Sequence, residues 1–164
     1  MTSLTNVVVA GGDAAAAVAR VEMLSPAGFA GLAVSSGLDV QGYVSDRQPD
    51  LVLLEGGFDD VDVFEVVRRL KRNPSSRHIP IIMLNASSAP AIHREGLESG
   101  LDDIIDADTA DDIVFARLRP FVRLMTMHAE CIQRVATAAE FRIPIAMDGV
   151  HAVDTTNCRV LFVV

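Results

Sequence analysis

Residues 49–66 read Pro-Asp-Leu-Val-Leu-Leu-Glu-Gly-Gly-Phe-Asp-Asp-Val-Asp-Val-Phe-Glu-Val, and this stretch decides the fold. Residues 51–54 are an unbroken apolar run between turn residues, which is typical of a strand buried on both faces of a parallel sheet. Glu55 follows at the carboxyl end of that strand, where open α/β sheets collect their functional groups. The stretch therefore predicts a parallel sheet and makes Glu55 the first candidate site residue.

Short apolar runs alternate with helical patterns on both sides of this stretch. The predicted strands cover residues 7–9, 31–35, 51–54, 79–84 and 104–105. The predicted helices run from a cap at Asp13 to Leu24, then over residues 38–47, 63–72 and 91–99, and from Asp111 onward. Such alternation is typical of a doubly wound sheet with helices on both faces. The fold class is therefore α/β, with a five-stranded parallel sheet and an extended C-terminal helix.

Composition excludes several classes of partner. The chain has 164 residues and a net charge of −8, which argues against nucleic acid or an anionic membrane surface as a direct partner. No apolar run is long enough to span a membrane, so a soluble protein is expected. The two cysteines, Cys131 and Cys158, lack metal-ligand spacing and favour a reducing setting.

The long helix carries a heptad seam. Its members are Val114, Leu118, Phe121, Met125, His128, Ile132, Val135 and Ala139. A helix from Asp111 to Glu140 would be about 45 Å long at 1.5 Å per residue. One domain does not cover that length, so we expect the distal half to self-associate rather than fold back on the sheet. Pro120 could bend the helix either way. His128, the polar member of the seam, could make association sensitive to pH, although a tolerated seam residue is the commoner case.

Four stretches of the sequence resemble the receiver domains of two-component response regulators. They are the central stretch and residues 77–84, 96–103 and 115–119. The order of elements supports the same resemblance. More narrowly, they are similar to the first receiver of regulators that carry two receivers ahead of a GGDEF diguanylate cyclase domain. The resemblance implies a flavodoxin-like sheet with strand order 2-1-3-4-5. It also implies a receiver domain over residues 1–128, a helical extension and linker over 129–157, and the first strand of a truncated second receiver over 158–164.

The resemblance also identifies positions where the phosphorylation machinery of the family is missing. Glu55 replaces the aspartate that accepts the phosphoryl group. The remaining positions are Ala10 and Gly11 for the acidic pair that holds Mg²⁺, Asn85 for the hydroxyl residue, Ile104 for the aromatic switch, and Ala107 and Asp108 for the Lys-Pro pair. The one lysine of the chain, Lys71, is expected on the exposed face of the third helix. Without a metal cage or a cation, catalysed phosphoryl acceptance is not expected. No cofactor, no metal site and no enzymatic activity are therefore predicted.

Three alternatives stay open at this point. Glu55 could mimic a phosphorylated aspartate, with Asn85 donating an amide hydrogen bond to it. A phosphoryl group could still enter at Asp59 or Asp60. A small-molecule sensor is a more distant possibility. The leading interpretation is a pseudo-receiver that works through protein contacts.

The resemblance implies partners as well. We expect a homodimer that uses the fourth helix, the fifth strand and the start of the fifth helix, and contacts with a sister receiver and an output domain. The candidate interface residues are Arg94, Glu98, Asp112, Arg117 and Arg119. The six aspartates between residues 102 and 112 form either a docking surface for a basic partner or an ordinary exposed loop with helix caps.

Overall fold

The computed structural model describes residues 4–140, 151–154 and 159–162 of the chain. The strands are β1 (Thr5–Ala10), β2 (Phe29–Val34), β3 (Leu51–Glu55), β4 (Ile81–Ala86), β5 (Asp103–Asp106), β6 (His151–Asp154) and β7 (Arg159–Phe162). The helices are α1 (Ala14–Leu24), α2 (Gly37–Arg47), α3 (Val63–Arg72), α4 (Pro90–Ser99) and α5 (Asp111–Glu140), with a short 3-10 turn at Ser25–Ala27.

Strands β1 to β5 form one parallel sheet in the order β2-β1-β3-β4-β5. This confirms the predicted fold class and strand order. The register pairs Ala10 with Leu54 and Leu54 with Met83, so β1, β3 and β4 end at the same edge of the sheet. That edge is where the candidate site residues were expected.

The core confirms that the central strand is buried on both faces. All four residues from Leu51 to Leu54 are 0% exposed. On one face of the sheet, the hydrophobic cluster joins β1 and β3 to helices α1 and α5 through Val7, Val9, Leu51, Leu53, Ala17, Leu24, Val114 and Leu118. Each fully buried leucine contributes about 1.5–3 kcal/mol. The strand that ends in Glu55 is therefore anchored firmly.

Strand β4 begins at Ile81, two residues later than predicted. Ile79 is 1% exposed, which explains why its apolar character suggested a strand. Pro80 lacks an amide hydrogen and cannot donate to the ladder, although its carbonyl accepts from the amide of Val52 at 3.0 Å. The predicted cap at Asp13 is confirmed, since its carboxylate accepts from the amides of Ala15 and Ala16.

The chain divides into two compact units, residues 1–122 and residues 123–164. Helix α5 is 30 residues long, as predicted, and contains Pro120. Of its seam residues, Val114 and Leu118 are buried, whereas Ile132 is 45% exposed. Self-association of the distal half stays a prediction.

In the second unit, β6 and β7 pair as an antiparallel hairpin with Val153 opposite Val160. Strand β6 was not predicted from the sequence. The predicted last strand thus finds a partner within the chain, and its assignment to a second receiver stays a prediction. Cys131 is disulfide-bonded, and the reducing setting expected from the cysteines stays a prediction. None of the described helices combines the length and the apolar character that crossing a membrane requires.

Candidate functional site

The carboxyl ends of β1 and β3 bring Gly11 and Glu55 into contact. A Cβ atom on Gly11 would collide with the carbonyl oxygen of Glu55 and would lie 3.2 Å from its Cβ atom. Ala10, the preceding residue, is 0% exposed. The structure therefore brings together three of the predicted site positions, and it packs two of them so tightly that the main chain fills the space between them.

The Glu55 carboxylate is buried and paired with an arginine. Glu55 is 7% exposed, and its Oε2 atom accepts from the Nε atom of Arg20 at 2.8 Å. Its Oε1 atom accepts from Nη2 of Arg20 at 3.1 Å. Two parallel N–H···O bonds of this kind are the strongest geometry that an arginine and a carboxylate can form. Both oxygens of the candidate acceptor thus already have a cationic partner.

Arg20 is the functional residue that reasoning from the sequence missed. A signal for it was present: Arg20 is three residues after Ala17 and four before Leu24, the two buried residues of α1. A charged side chain on the buried face of a helix needs a partner, because an unpaired charge inside a protein is strongly unfavourable. The identity of the partner could not be predicted, since it depends on how α1 packs against β3.

The loops that follow β1 and β3 are held together by their main chains. The amide of Gly12 donates to the carbonyl of Gly57 at 2.8 Å. A Cβ atom on Gly12 would lie 2.9 Å from that carbonyl oxygen and 3.2 Å from the Cα atom of Phe58. The crevice above these two strands is therefore occupied by backbone.

A magnesium ion does not fit this arrangement. Mg²⁺ takes oxygen ligands, usually one or two carboxylates beside water and phosphate oxygens. Ala10 and Gly11 have no side-chain oxygen, and the oxygens of Glu55 accept from Arg20. Within the described part of the chain, no three His, Cys, Asp or Glu side chains are grouped closely enough to hold a metal. The side chain of Asn85 lies outside what the structure describes, so its predicted bond to Glu55 stays a prediction.

The acidic loop after β3 caps two different helices. Asp60 accepts from the Ser36 hydroxyl at 2.8 Å and from the amides of Gly37 and Leu38 at the start of α2. The Ser36 hydrogen bond, with these amides, holds the pKa of the Asp60 carboxyl below its ordinary value. Asp62 accepts from the amide of Glu65 and caps α3. Asp59 is exposed. The carboxylates of Asp60 and Asp62 thus serve helix termini.

The acidic segment around β5 is largely neutralised by basic residues of the same domain. Three ion pairs do this, namely Lys71–Asp102 at 2.7 Å, Arg117–Asp103 at 3.2 Å and His93–Asp106 at 2.9 Å, the last charged only when the histidine is protonated. Lys71 was expected to be exposed, and that prediction was wrong. Its ammonium also donates to the carbonyl of Ile79 at 3.0 Å, and its stem passes over Gly100, so its side chain is only 20% exposed.

The remaining predicted positions differ in accessibility. Ile104, at the expected switch position, is buried, and its Cδ1 atom fills the space that a Cβ atom on Gly96 would need. Ala107 is exposed. All five interface candidates are exposed, namely Arg94, Glu98, Asp112, Arg117 and Arg119, and Arg117 is also paired with Asp103.

Comparison of sequences finds relatives among response regulators, although no protein-family model matches the chain. The response regulator PleD of Caulobacter vibrioides is 33% identical over 115 residues, which are 70% of this chain and 25% of PleD. The phosphate regulon transcriptional regulatory protein PhoB of Pseudomonas aeruginosa is 35% identical over 100 residues, 61% of this chain and 44% of PhoB. The chain therefore matches less than half the length of either relative.

Comparison of structures agrees. The receiver domain of a signal transduction histidine kinase from Syntrophus aciditrophicus superposes with a TM-score of 0.66 and 24% identity, covering 73% of this chain and 90% of that one. A second match is the receiver domain of a Pseudomonas aeruginosa sensor histidine kinase, which has a magnesium ion coordinated in its active site cleft. It superposes with a TM-score of 0.66 and 16% identity, covering 73% of this chain and 98% of that one.

Fold and strand order thus define a receiver-type α/β domain. With the sequence match to PleD and PhoB, the chain belongs to the receiver domains of two-component response regulators, the CheY-like family.

Proposed function

We propose that this chain is a pseudo-receiver, a receiver domain that does not accept a phosphoryl group and acts in signal transduction through protein contacts. One observation carries the proposal: the oxygens of Glu55 are held by Arg20, and the main chain of Gly11 closes the space beside them. Phosphoryl transfer needs a metal and cations placed at the reacting oxygens. The arrangement around Glu55 leaves no position for a metal, and the one cation at its oxygens, Arg20, already occupies both of them.

Incubation with acetyl phosphate and Mg²⁺, followed by intact-mass measurement, tests the proposal. No phosphoryl adduct is expected on this chain. A receiver that keeps the acidic pair, the acceptor aspartate and the lysine serves as the positive control under the same conditions. A stable, metal-dependent gain of one phosphoryl group on this chain would contradict the proposal.

The alternative is a receiver that is phosphorylated on a non-standard aspartate as part of a phosphorelay. Asp60 is poorly suited because three donors already hold its carboxylate. Asp59 is exposed and is the better candidate. The alternative predicts that an adduct forms on the chain and is lost in the Asp59→Asn variant but kept in Asp60→Asn.

The interaction surface that we propose is a homodimer contact made by α4, β5 and the first turns of α5. Two large apolar side chains on these helices are exposed, Leu97 at 59% and Ile113 at 49%. The charged candidates on the same helices would set the orientation of the two copies, because charged rims act on orientation more than on affinity. By resemblance, the full-length protein is cytoplasmic and adds a sister receiver and an output domain, which we propose to be a diguanylate cyclase.

Charge reversal at Arg119 tests the dimer. Arg119→Glu should shift a dimer toward monomer in sedimentation velocity, because like charges then meet across the contact. Arg77→Glu is the matched control, since Arg77 is also exposed but follows α3. Arg117→Glu is less decisive because it also breaks the internal bridge to Asp103. An Arg119 variant that sediments like the unsubstituted chain would remove this face as the contact.

A further inference from the structure

Arg20 contacts two other elements of the receiver domain, β3 and α5, as well as a residue of its own helix. Besides its two bonds to Glu55 at the end of β3, its Nη1 atom lies 3.3 Å from the sulfur of Met23 and 3.8 Å from Oδ1 of Asp111, the first residue of α5. The Arg20 and Glu55 side chains are 15% and 5% exposed, whereas that of Asp111 is 65% exposed. One cation therefore lies between a buried carboxylate and a solvated one.

We propose that Arg20 is an internal counter-cation of the receiver site that couples the charge at residue 55 to the first turn of α5. This inference rests on the proposed function, because it assigns to a side chain of the domain the neutralising role that a metal and a lysine fill in a phosphorylatable receiver. It also supplies the partner that a carboxylate mimic of a phosphorylated aspartate requires. The partner comes from α1 rather than from β4 or β5.

The physical basis is a competition between two carboxylates for one guanidinium. Glu55 holds Arg20 with two short, shielded bonds, and water screens the longer contact to Asp111. When the charge at residue 55 is removed, Asp111 is the acidic partner of Arg20 that remains among the described residues. The guanidinium then turns toward Asp111, and the amides of the first turn of α5, such as those of Ile113 and Val114, experience a changed field.

A double-mutant cycle on the full 164-residue chain tests the pairing. Arg20→Met and Glu55→Leu should each lower the midpoint of urea unfolding, because each breaks the buried ion pair and leaves one of its charged members behind. The unfolding equilibrium constant of the combined variant should be at least tenfold smaller than the value expected if the two single effects were additive. Arg20→Lys should fall between the unsubstituted chain and Arg20→Met, since a lysine cannot form both bonds.

Amide hydrogen exchange tests the coupling to α5. Glu55→Gln should change exchange at Ile113 and Val114 at least threefold, and this change should disappear when Asp111→Asn is added. Arg117→Met is the matched control, since it cuts a different bridge to α5 and should leave exchange in the loop after Glu55 unchanged. Glu55→Gln and Arg20→Lys change the size of the side chain little. They therefore still test the proposal if Arg20→Met or Glu55→Leu prevents folding.

Strict additivity of Arg20 and Glu55 substitutions would overturn the pairing. If the Arg20 and Glu55 substitutions are coupled in stability but amide exchange at Ile113 and Val114 does not change in Glu55→Gln, the proposed coupling through Asp111 is overturned. Either failure, combined with a continued absence of phosphoryl adducts, would leave the pseudo-receiver assignment in place. If the double-mutant cycle shows coupling and a phosphoryl adduct forms on the chain, the pairing of Arg20 with Glu55 stands and the pseudo-receiver assignment fails.

Discussion

At the scale of single residues, Asp60 shows that an acidic side chain beside the receiver site can serve the fold. Its carboxylate accepts from the Ser36 hydroxyl and from two amides at the start of α2. The folded state therefore lowers the pKa of Asp60 and favours its charged form. Such a group stabilises the protein above its unfolded pKa, about 3.9, and the contribution is lost as the pH falls through the lower folded value.

We expect Asp60→Ala to be less stable than the unsubstituted chain at about pH 7, with the difference shrinking as the pH falls below the unfolded pKa of about 3.9. Urea unfolding at a series of pH values measures this. Asp59→Ala is the control, because Asp59 is an exposed neighbour, and it should show little loss at any pH. A difference between the Asp60 variant and the unsubstituted chain that grows toward low pH would contradict the role given to this carboxylate.

Lys71 provides a second test at the residue scale. Lys71→Met keeps a long apolar stem over Gly100 but removes the ammonium that binds Asp102 and the carbonyl of Ile79. We expect a loss of about 1–3 kcal/mol in unfolding free energy, the typical effect of leaving partly buried polar groups unsatisfied. Chemical denaturation measures it.

The exposed neighbour Arg72 provides the matched substitution. Arg72→Met should stay within about 0.5 kcal/mol of the unsubstituted chain. Equal losses for the two variants would show that the contacts of Lys71 contribute nothing to stability.

The importance of Glu55 could be predicted from its place after an unbroken apolar run, because that place follows from local pattern alone. The role of Arg20 could not, because the two residues are 35 positions apart and meet only when α1 packs on the sheet. Lys71 was misplaced for a similar reason. Its position on α3 is that of an exposed residue, yet the chain after Gly100 approaches it closely.

At the scale of elements, the loop between β1 and α1 depends on how little space it takes. Gly11 has no room for a Cβ atom, although a Cβ atom on Gly57 would meet nothing within 4 Å. We expect Gly11→Ala to destabilise the domain by roughly 1–3 kcal/mol or more, because the added methyl group meets main chain that cannot move aside.

Gly57→Ala adds the same group to open space and should be neutral or slightly stabilising. Gly57 is not among the glycines with positive φ, so no backbone strain enters the comparison. Urea unfolding of the two variants side by side measures the difference. Equal stabilities of the two variants would mean that the space between Gly11 and the backbone of Glu55 can accept a methyl group.

The elements themselves were predictable wherever a pattern was long or strongly marked. The β3 run, the cap at Asp13 and the length of α5 followed from sequence. Strand β6 did not, because the four residues from His151 to Asp154 carry neither a continuous apolar run nor a long alternation. The start of β4 was misplaced because the apolar residue Ile79 is buried without joining the ladder.

At the scale of the whole molecule, salt acts on the proposed dimer in two opposite ways. The net charge of −8 makes two copies repel, and salt relieves that repulsion, whereas salt weakens any attraction between charges at the contact. Raising the ionic strength from about 0.1 M to about 1 M shortens the screening length from roughly 10 Å to roughly 3 Å. If the charges at the contact attract, we expect dissociation to increase several-fold, while the apolar contribution of Leu97 and Ile113 persists. Sedimentation equilibrium at both salt concentrations measures the change.

The Arg119→Glu variant should not dissociate further when salt is added, because the attraction at this residue has been replaced by a repulsion that salt relieves. A dimer of the unsubstituted chain that tightens with salt would instead show that the contact is apolar and that the charges oppose it. The sequence could propose such a dimer through family resemblance, but no pattern within one chain reveals which surface meets another.

The fit between Gly11 and Glu55 also bears on descent. A receiver with an open cleft can lose its magnesium ligands through ordinary point mutations and can regain them in the same way. Here main chain occupies the space beside position 11. A side chain with a carboxylate at that position would collide with the backbone of Glu55 before it could bind an ion. Restoring a magnesium-binding carboxylate at position 11 would therefore require a shift of the main chain as well as a change of side chain.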